Sequence, residues 1–171
     1  ANGILGSVTE GNGTANVDGI GSTWSNSIDL YVGGNSTGPA GAGEVNVHNG
    51  GTVSVGDTLT VWNAGTVNLN VGTFNVGTLD GTGLFNFMAG TLNVSADLLM
   101  DPNLPLRSSL SLTGFRTLNV TGTTKLNSYS TLSLDGGVFS TGSLINNGGF
   151  TFNSGTFNLT NDNLVVGAGG L

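Results

Sequence analysis

The sequence predicts an all-β fold, a right-handed parallel β-solenoid (β-helix) of about nine rungs of about 19–20 residues, where a rung is one turn of the coil. Three observations predict it. A short strand motif recurs, glycine-rich turns separate its copies, and no window has the three-to-four-residue apolar spacing of a surface helix. The 171 residues include 31 Gly, 22 Thr and 22 Asn, and charged helix formers are scarce.

The strand motif is Thr, an apolar residue, a residue that is most often Asn or Ser, and a second apolar residue. Alternate residues of a strand point to opposite sides, so the apolar positions should face the core while Thr and Asn face outward. The outward rows should then form a ladder of hydroxyl and amide groups along the stack. The clear copies of the motif are Thr52–Val55, Thr58–Val61, Thr66–Leu69, Thr73–Val76, Thr91–Val94, Thr117–Val120, Thr131–Leu134 and Thr156–Leu159.

The spacing of the copies suggests a double-rung period. Thr52 and Thr91 are 39 residues apart, as are Thr117 and Thr156, and Thr91 and Thr131 are 40 apart. A period of this length without a helix indicates two turns of about 19–20 residues each. We interpret the chain from residue 52 onward as three such blocks, 52–90, 91–130 and 131–171.

The chain is predicted to be one continuous solenoid over residues 1–171. Turn signals such as Asn49-Gly50-Gly51 fit its corners. A Pro-containing loop near 101–107 should leave the wall, because proline is excluded from central strands. An insertion at a corner is the favoured interpretation of this loop. A small recognition loop close to the three cations is the alternative; these cations are Arg107, Arg116 and Lys125.

Charge and composition argue against several classes of protein. The net charge is −7, so nucleic acid is not an expected partner, and an anionic membrane surface would repel the chain. No apolar run has the length of a transmembrane helix. Cysteine is absent, which excludes disulfides and thiolate metal sites. Regular apolar pairs and only 8% charged residues argue against disorder.

Three segments resemble the repeats of bacterial autotransporter passengers: Val17–Ser27 (VDGIGSTWSNS), Asp29–Gly34 (DLYVGG) and Gly43–Val53 (GEVNVHNGGTV). They are also similar to large surface proteins with sorting tails of the kind found in planctomycetes. The resemblance is good over about residues 15–79. The rest of the chain resembles these proteins only in the general pattern of its repeats. It implies an exported bacterial β-solenoid, extracellular or at the cell surface, with an adhesive or structural role. It says almost nothing about a ligand.

The two ends suggest a stack that is uncapped on both sides. Val166–Leu171 breaks off inside a repeat, and Ala1–Thr9 reads as the continuation of such a segment. Neither segment has the polar, charged cap expected of a solitary solenoid. Two expectations stay open. The partners are either neighbouring rungs of a longer chain, or copies of the chain that stack head-to-tail into a filament.

No group of residues predicts catalysis, a cofactor or a metal site. A glycosidase needs two converging carboxylates, and only Asp97 and Asp101 approach each other among the ten acids. His48 is the only histidine, so one copy cannot form a His-based triad or a two-histidine zinc site. It is expected to be an exposed turn residue. We therefore predict that the protein is not an enzyme.

The leading hypothesis is a non-enzymatic extracellular structural protein, a stiff repeat segment of a bacterial surface stalk, matrix or fibre. The alternative is an adhesin or carbohydrate-binding module. Trp24, Trp62, Tyr31 and Tyr129 could stack on the sugars of a polysaccharide, although aromatic side chains more often serve burial. An ice-binding Thr face and a polysaccharide-active enzyme are lesser alternatives.

Overall fold

The computed structural model describes residues 1–167, apart from the side chain of residue 162. These residues are all-β: they contain no helix, and 69% of them lie in strands. Of the predicted repeat end, Val166–Leu171, residues 168–171 lie outside the described residues. The strands are β1 (Gly3–Leu5), β2 (Asn12–Asp18), β3 (Thr23–Asn26), β4 (Leu30–Val32), β5 (Gly34–Asn35), β6 (Gly38–Pro39), β7 (Ala42–His48), β8 (Thr52–Val61), β9 (Gly65–Asn70), β10 (Gly72–Asp80), β11 (Leu84–Phe87), β12 (Gly90–Val94), β13 (Leu98–Met100), β14 (Ser109–Thr113), β15 (Arg116–Leu126), β16 (Thr131–Asn146) and β17 (Gly149–Val166).

Parallel pairing dominates the sheets. An eleven-stranded sheet has the order β1-β4-β8-β10-β12-β15-β16-β14, with β3 on β8, β13 on β15 and β17 on β16. A four-stranded sheet has the order β11-β9-β7-β2. The described pairs in both sheets are parallel, and only the two-residue strands β5 and β6 form an antiparallel pair. This arrangement is consistent with the β-solenoid that the sequence predicts.

The motif copies stack in register, but at unequal intervals. Thr52, Thr73, Thr91 and Thr117 pair in succession, at intervals of 21, 18 and 26 residues. The 39-residue spacing of Thr52 and Thr91 therefore does span two steps of the stack. Over the described strands the interval ranges from 18 to 30 residues, so a uniform rung of 19–20 residues is not observed.

The block boundary at residue 131 does not match the pairing. Thr131 pairs with Ser109 and Gly149, whereas Thr117 in the Thr91 column pairs with Val138. The 40-residue spacing of Thr91 and Thr131 thus joins positions that are not equivalent. The cause is that β16 contains two copies of the alternating pattern, and only the second belongs to the Thr91 column.

The core consists of columns of inward side chains. Phe74 pairs with Val53 on one side and Leu92 on the other, and all three are fully buried. The ring of Phe74 also meets Phe85 edge-on, with centroids 5.4 Å apart. Burial of each such side chain contributes about 1.5–3 kcal/mol. The inward and outward assignment of the motif agrees with this burial.

The Pro-containing segment connects β13 and β14 and is tied to the core. Pro105 and Leu106 are buried, while Pro102 and Arg107 are exposed. Asp101 accepts hydrogen bonds from the backbone N–H of Asn103 at 3.0 Å and from Nδ2 of Asn127 at 2.7 Å. The segment fills a corner with apolar side chains, which favours the insertion over the recognition loop.

Candidate functional site

Two ladders of outward polar side chains run along the stack. In the four-stranded sheet, Nδ2 of Asn46 donates to Oδ1 of Asn16 at 2.9 Å, Asn68 donates to Asn46 at 2.8 Å, and Asn86 donates to Asn68 at 2.7 Å. Each amide therefore donates to the equivalent residue of the preceding step. The parallel register aligns these residues, since Asn16, Asn46, Asn68 and Asn86 pair directly.

The second ladder lies on the eleven-stranded sheet. Asn75 donates to Oγ of Ser54 at 3.0 Å, Asn93 donates to Asn75 at 2.7 Å, and Asn119 donates to Asn93 at 2.8 Å. A middle amide uses one N–H and one acceptor site in the ladder, so one N–H and one further lone pair stay available. The ladder thus offers a regular row of donors and acceptors.

A groove follows this second ladder. Its volume is about 380 Å³. Asn75, Asn93 and Asn119 line it together with Ser95, Thr121 and three valines. The hydroxyl groups of Ser95 and Thr121 make no internal hydrogen bond among the described residues. An uncharged groove rich in amides and hydroxyls can bind a hydroxyl-rich ligand through hydrogen bonds.

A single carboxylate, that of Asp135, is surrounded by hydrogen-bond donors at the junction of β14, β16 and β17; we call this group the Asp135 cluster. Asp135 accepts hydrogen bonds from Nδ2 of Asn153 at 2.6 Å and from Oγ of Ser133 and Ser111, each at 2.7 Å. These bonds, that of Asn153 foremost, lower the pKa of Asp135 from 3.8 to about 2. A carboxylate stabilised in this way is a poor general acid, and its hydrogen bonds link β16 to β14 and β17.

The two acids that approach each other in sequence are both engaged in local structure. Asp97 accepts the backbone N–H of Thr123 at 2.7 Å. Hydrogen bonds from the Asn103 backbone and then the Asn127 side chain lower the pKa of Asp101. Among the side chains that the structure describes, those of residues 1–161 and 163–167, no group of three or more His, Cys, Asp or Glu could hold a metal ion. No helix long and apolar enough to span a membrane occurs in that part of the chain.

Three of the four candidate sugar-stacking aromatics are engaged in packing or hydrogen bonds. Trp24 packs against the core, and Nε1 of Trp62 donates to the carbonyl of Asn35 at 3.0 Å, beneath the β5–β6 hairpin. Tyr31 donates to Oδ2 of Asp29 at 3.0 Å, which raises its pKa. Tyr129 is 84% exposed, so it is the candidate that keeps an open ring face.

His48 differs from the exposed turn residue that the sequence predicts. It ends strand β7, it is half-buried, and its Nε2 is shielded from solvent without a hydrogen-bond partner. It pairs with Asp18 and Asn70 in the neighbouring strands, because the strand continues one residue past the apolar alternation.

Sequence reasoning missed two features. Phe115 is 82% exposed at a corner, and nothing in the strand motif indicates it. Thr124 and Thr141 are fully buried, with their hydroxyl oxygens 2.9 Å apart. Thr141 follows Val94 and Val120 in one inward column. A Thr in place of an apolar residue at that column position is the signal that could have revealed the pair.

Comparison of the chain with protein-family models, curated proteins and solved structures finds no significant match. The resemblance to autotransporter passenger repeats therefore stays a prediction.

Proposed function

We propose that this chain is a stiff segment of a right-handed parallel β-solenoid with a non-enzymatic, structural role outside a bacterial cell, in a surface stalk, matrix or fibre. The observation that carries the proposal is the unbroken series of parallel strand pairs from β3 to β17, in which the register shifts only at local bulges. A load along such a stack is shared among many backbone hydrogen bonds. The right hand follows the strong preference of parallel crossover connections.

The size of the proposed stack follows from one column of paired inward residues. That column has seven members: Trp24, Val53, Phe74, Leu92, Leu118, Phe139 and Phe157. We therefore infer seven rungs through this column, in place of the nine expected from a uniform spacing. Each rung is stabilised mainly by its neighbours, as in other repeat proteins.

The side-chain ladders support a structural role in a second way. Asparagine ladders of this kind add hydrogen bonds between successive steps without adding charge. The carboxylate of Asp135 accepts hydrogen bonds from neutral donors, and its pKa of about 2 does not suit acid catalysis at neutral pH. Both features favour stability over turnover.

Single-molecule pulling tests the proposal. With handles at residues 1 and 171, the chain should unfold in steps as rungs peel off, each releasing 18 to 30 residues, or roughly 60–100 Å of extended chain. Single-step unfolding at low force would contradict a load-bearing stack. The variant Leu92→Ala creates a cavity in the middle of the column. It should therefore lower the unfolding force, while the step lengths, which depend on the strand pairing, stay unchanged.

Head-to-tail assembly is a separate part of the proposal. Strand β17 is paired on one side by β16, and Phe152, Leu164 and Val166 on it are exposed. The opposite edge is stepped, because β1 adds one further strand over β4 while β2 and β3 have none. The β17 edge of a second copy must fit this stepped edge. Sedimentation velocity at rising concentration should show growing oligomers. A monomer at every concentration would contradict the filament hypothesis but not the solenoid fold.

A second candidate function is glycan binding in the groove beside the Asn75–Asn119 ladder. The free amide and hydroxyl groups of that groove favour it. A glycan array should then give selective binding that the double variant Ser95→Ala/Thr121→Val weakens. The variant Thr14→Val, in a groove of the other sheet, is the control and should leave binding unchanged. If no glycan binds, the second candidate function is wrong and the structural role is the one that remains.

A further inference from the structure

We propose that Asn147 is a site of spontaneous covalent modification, deamidation, and that the fold protects the other Asn-Gly pairs. The sequence contains four such pairs, at Asn2, Asn12, Asn49 and Asn147. Asparagine is a thermolabile residue, and a following glycine leaves the attacking backbone nitrogen without steric hindrance.

The reaction needs a free backbone nitrogen and a movable side chain. The deprotonated backbone nitrogen of Gly148 attacks Cγ of Asn147, the C–Nδ2 bond breaks, and ammonia leaves after taking up a proton. Water then opens the resulting succinimide ring at one of its two carbonyls. The products are aspartate and isoaspartate, and water is the only co-reactant.

Asn49 is held against this reaction at both reacting groups. Its Nδ2 donates to Oδ1 of Asp18 at 2.7 Å, and the backbone nitrogen of Gly50 donates to the carbonyl of Val71 at 2.6 Å. Attack requires both hydrogen bonds to break. The free energy needed to break them is expected to slow deamidation of Asn49 about tenfold or more relative to an unrestrained pair.

The first two pairs are held as well. Oδ1 of Asn2 accepts the backbone N–H of Asp29 at 3.2 Å, and the nitrogen of Gly3 donates to the carbonyl of Asp29 at 2.8 Å. Asn12 and Gly13 lie inside strand β2, paired with Ala42 and Gly43 of β7. A strand backbone cannot turn to the geometry of attack without leaving the sheet.

Asn147 lacks these restraints. It lies in the two-residue corner between β16 and β17, its side chain is exposed, and neither that side chain nor the nitrogen of Gly148 has a hydrogen bond among the described residues. The hydrogen bonds of the corner lie at its flanks, where Asn147 N donates to Leu126 O at 3.0 Å and Gly149 N donates to Ser130 O at 2.9 Å. Gly148 is buried against the backbone carbonyls of Ser130 and Asn127, which leave no room for a Cβ atom, but its nitrogen donates to neither. Isoaspartate here would lengthen the backbone by one methylene in a tight corner.

The test is peptide mass spectrometry of the folded chain during incubation at mildly alkaline pH. We expect Asn147 to deamidate about tenfold faster than Asn49, and the two rates to converge in urea, where the fold no longer protects. The variant Asp18→Ala should raise the rate at Asn49 severalfold, and Asn147→Gln should abolish the main product. Equal rates at Asn49 and Asn147 in the folded chain, or the same ranking in urea, would overturn the proposal.

Discussion

The same four-residue motif occurs in the middle of the stack and at its edge, with different outcomes. Thr73–Val76 in β10 has β8 on one side and β12 on the other, and its Phe74 is fully buried. Among the described strands, Thr156–Leu159 in β17 pairs with β16 alone, and its Phe157 and Leu159 are partly exposed. The motif thus determines the strand and the direction of its side chains, while neighbouring strands determine how much each side chain stabilises the fold.

Truncation of the two phenylalanines tests this difference most strongly. Phe74→Ala should lower the free energy of unfolding by about 3–5 kcal/mol, since it removes a fully buried ring and leaves a cavity. Phe157→Ala should cost only about 1–2 kcal/mol, because part of the ring is already in water. Urea unfolding of both variants measures the losses, and equal losses would show that the two positions do not differ.

The buried hydroxyl pair of Thr124 and Thr141 shows the effect of a neighbouring strand on a polar group in the core. Thr141→Val makes its column apolar, yet it should destabilise by about 1–3 kcal/mol, because the hydroxyl of Thr124 loses its partner. The double variant Thr124→Val/Thr141→Val should recover part of that loss. Thermal and urea unfolding check both. A Thr141→Val variant more stable than the parent chain would show that the pair contributes nothing.

The asparagine ladder gives a smaller contrast of the same kind. Asn93→Ala removes two ladder hydrogen bonds, those with Asn75 and Asn119, and should cost about 1–2 kcal/mol. Asn158→Ala removes one exposed bond to Ser140 and should cost about 0.5 kcal/mol. Chemical denaturation of the two single variants measures the losses. A larger loss of stability in Asn158→Ala than in Asn93→Ala would contradict the idea that neighbouring strands determine stability.

Acid should loosen the edge through Asp135. Its folded pKa of about 2 lies below the ordinary 3.8, so the stabilisation is present above pH 3.8 and is lost as the pH falls toward 2. The Asn153 contact between β16 and β17 weakens as the carboxylate takes up a proton. Asp135→Asn should lack this part of the pH dependence between pH 4 and 2, and parallel acid unfolding of both chains would argue against it.

The smallest effect expected is a gain of stability at a corner. Val71 is 58% exposed and has φ +58°, a left-handed conformation that β-branched residues avoid. At the preceding corner Asn49 adopts nearly the same φ, +52°. Val71→Asn should therefore stabilise the chain by about 0.5–1 kcal/mol. Val71→Ala is the control with little gain, and a loss of stability in Val71→Asn would mean that the valine side chain has a role in packing.

The strands and their faces could be predicted from the sequence because alternation is local. The intervals could not, because corner lengths are independent of the strand motif. The β5–β6 hairpin lengthens one step to about 30 residues, and the Pro102–Pro105 segment lengthens another to 26. The Asp135 cluster could not be predicted either, because Ser111 and Asn153 come from strands that only the register brings together.

Native-state hydrogen exchange of the 171-residue chain tests the central claim most directly, namely that neighbouring strands, and not the motif, determine stability. The amides of β8, β10 and β12 should exchange slowest and those of β17 fastest, although β10 and β17 share the motif. Equal protection of Thr73–Val76 and Thr156–Leu159 would show that the motif, and not the neighbouring strands, determines stability.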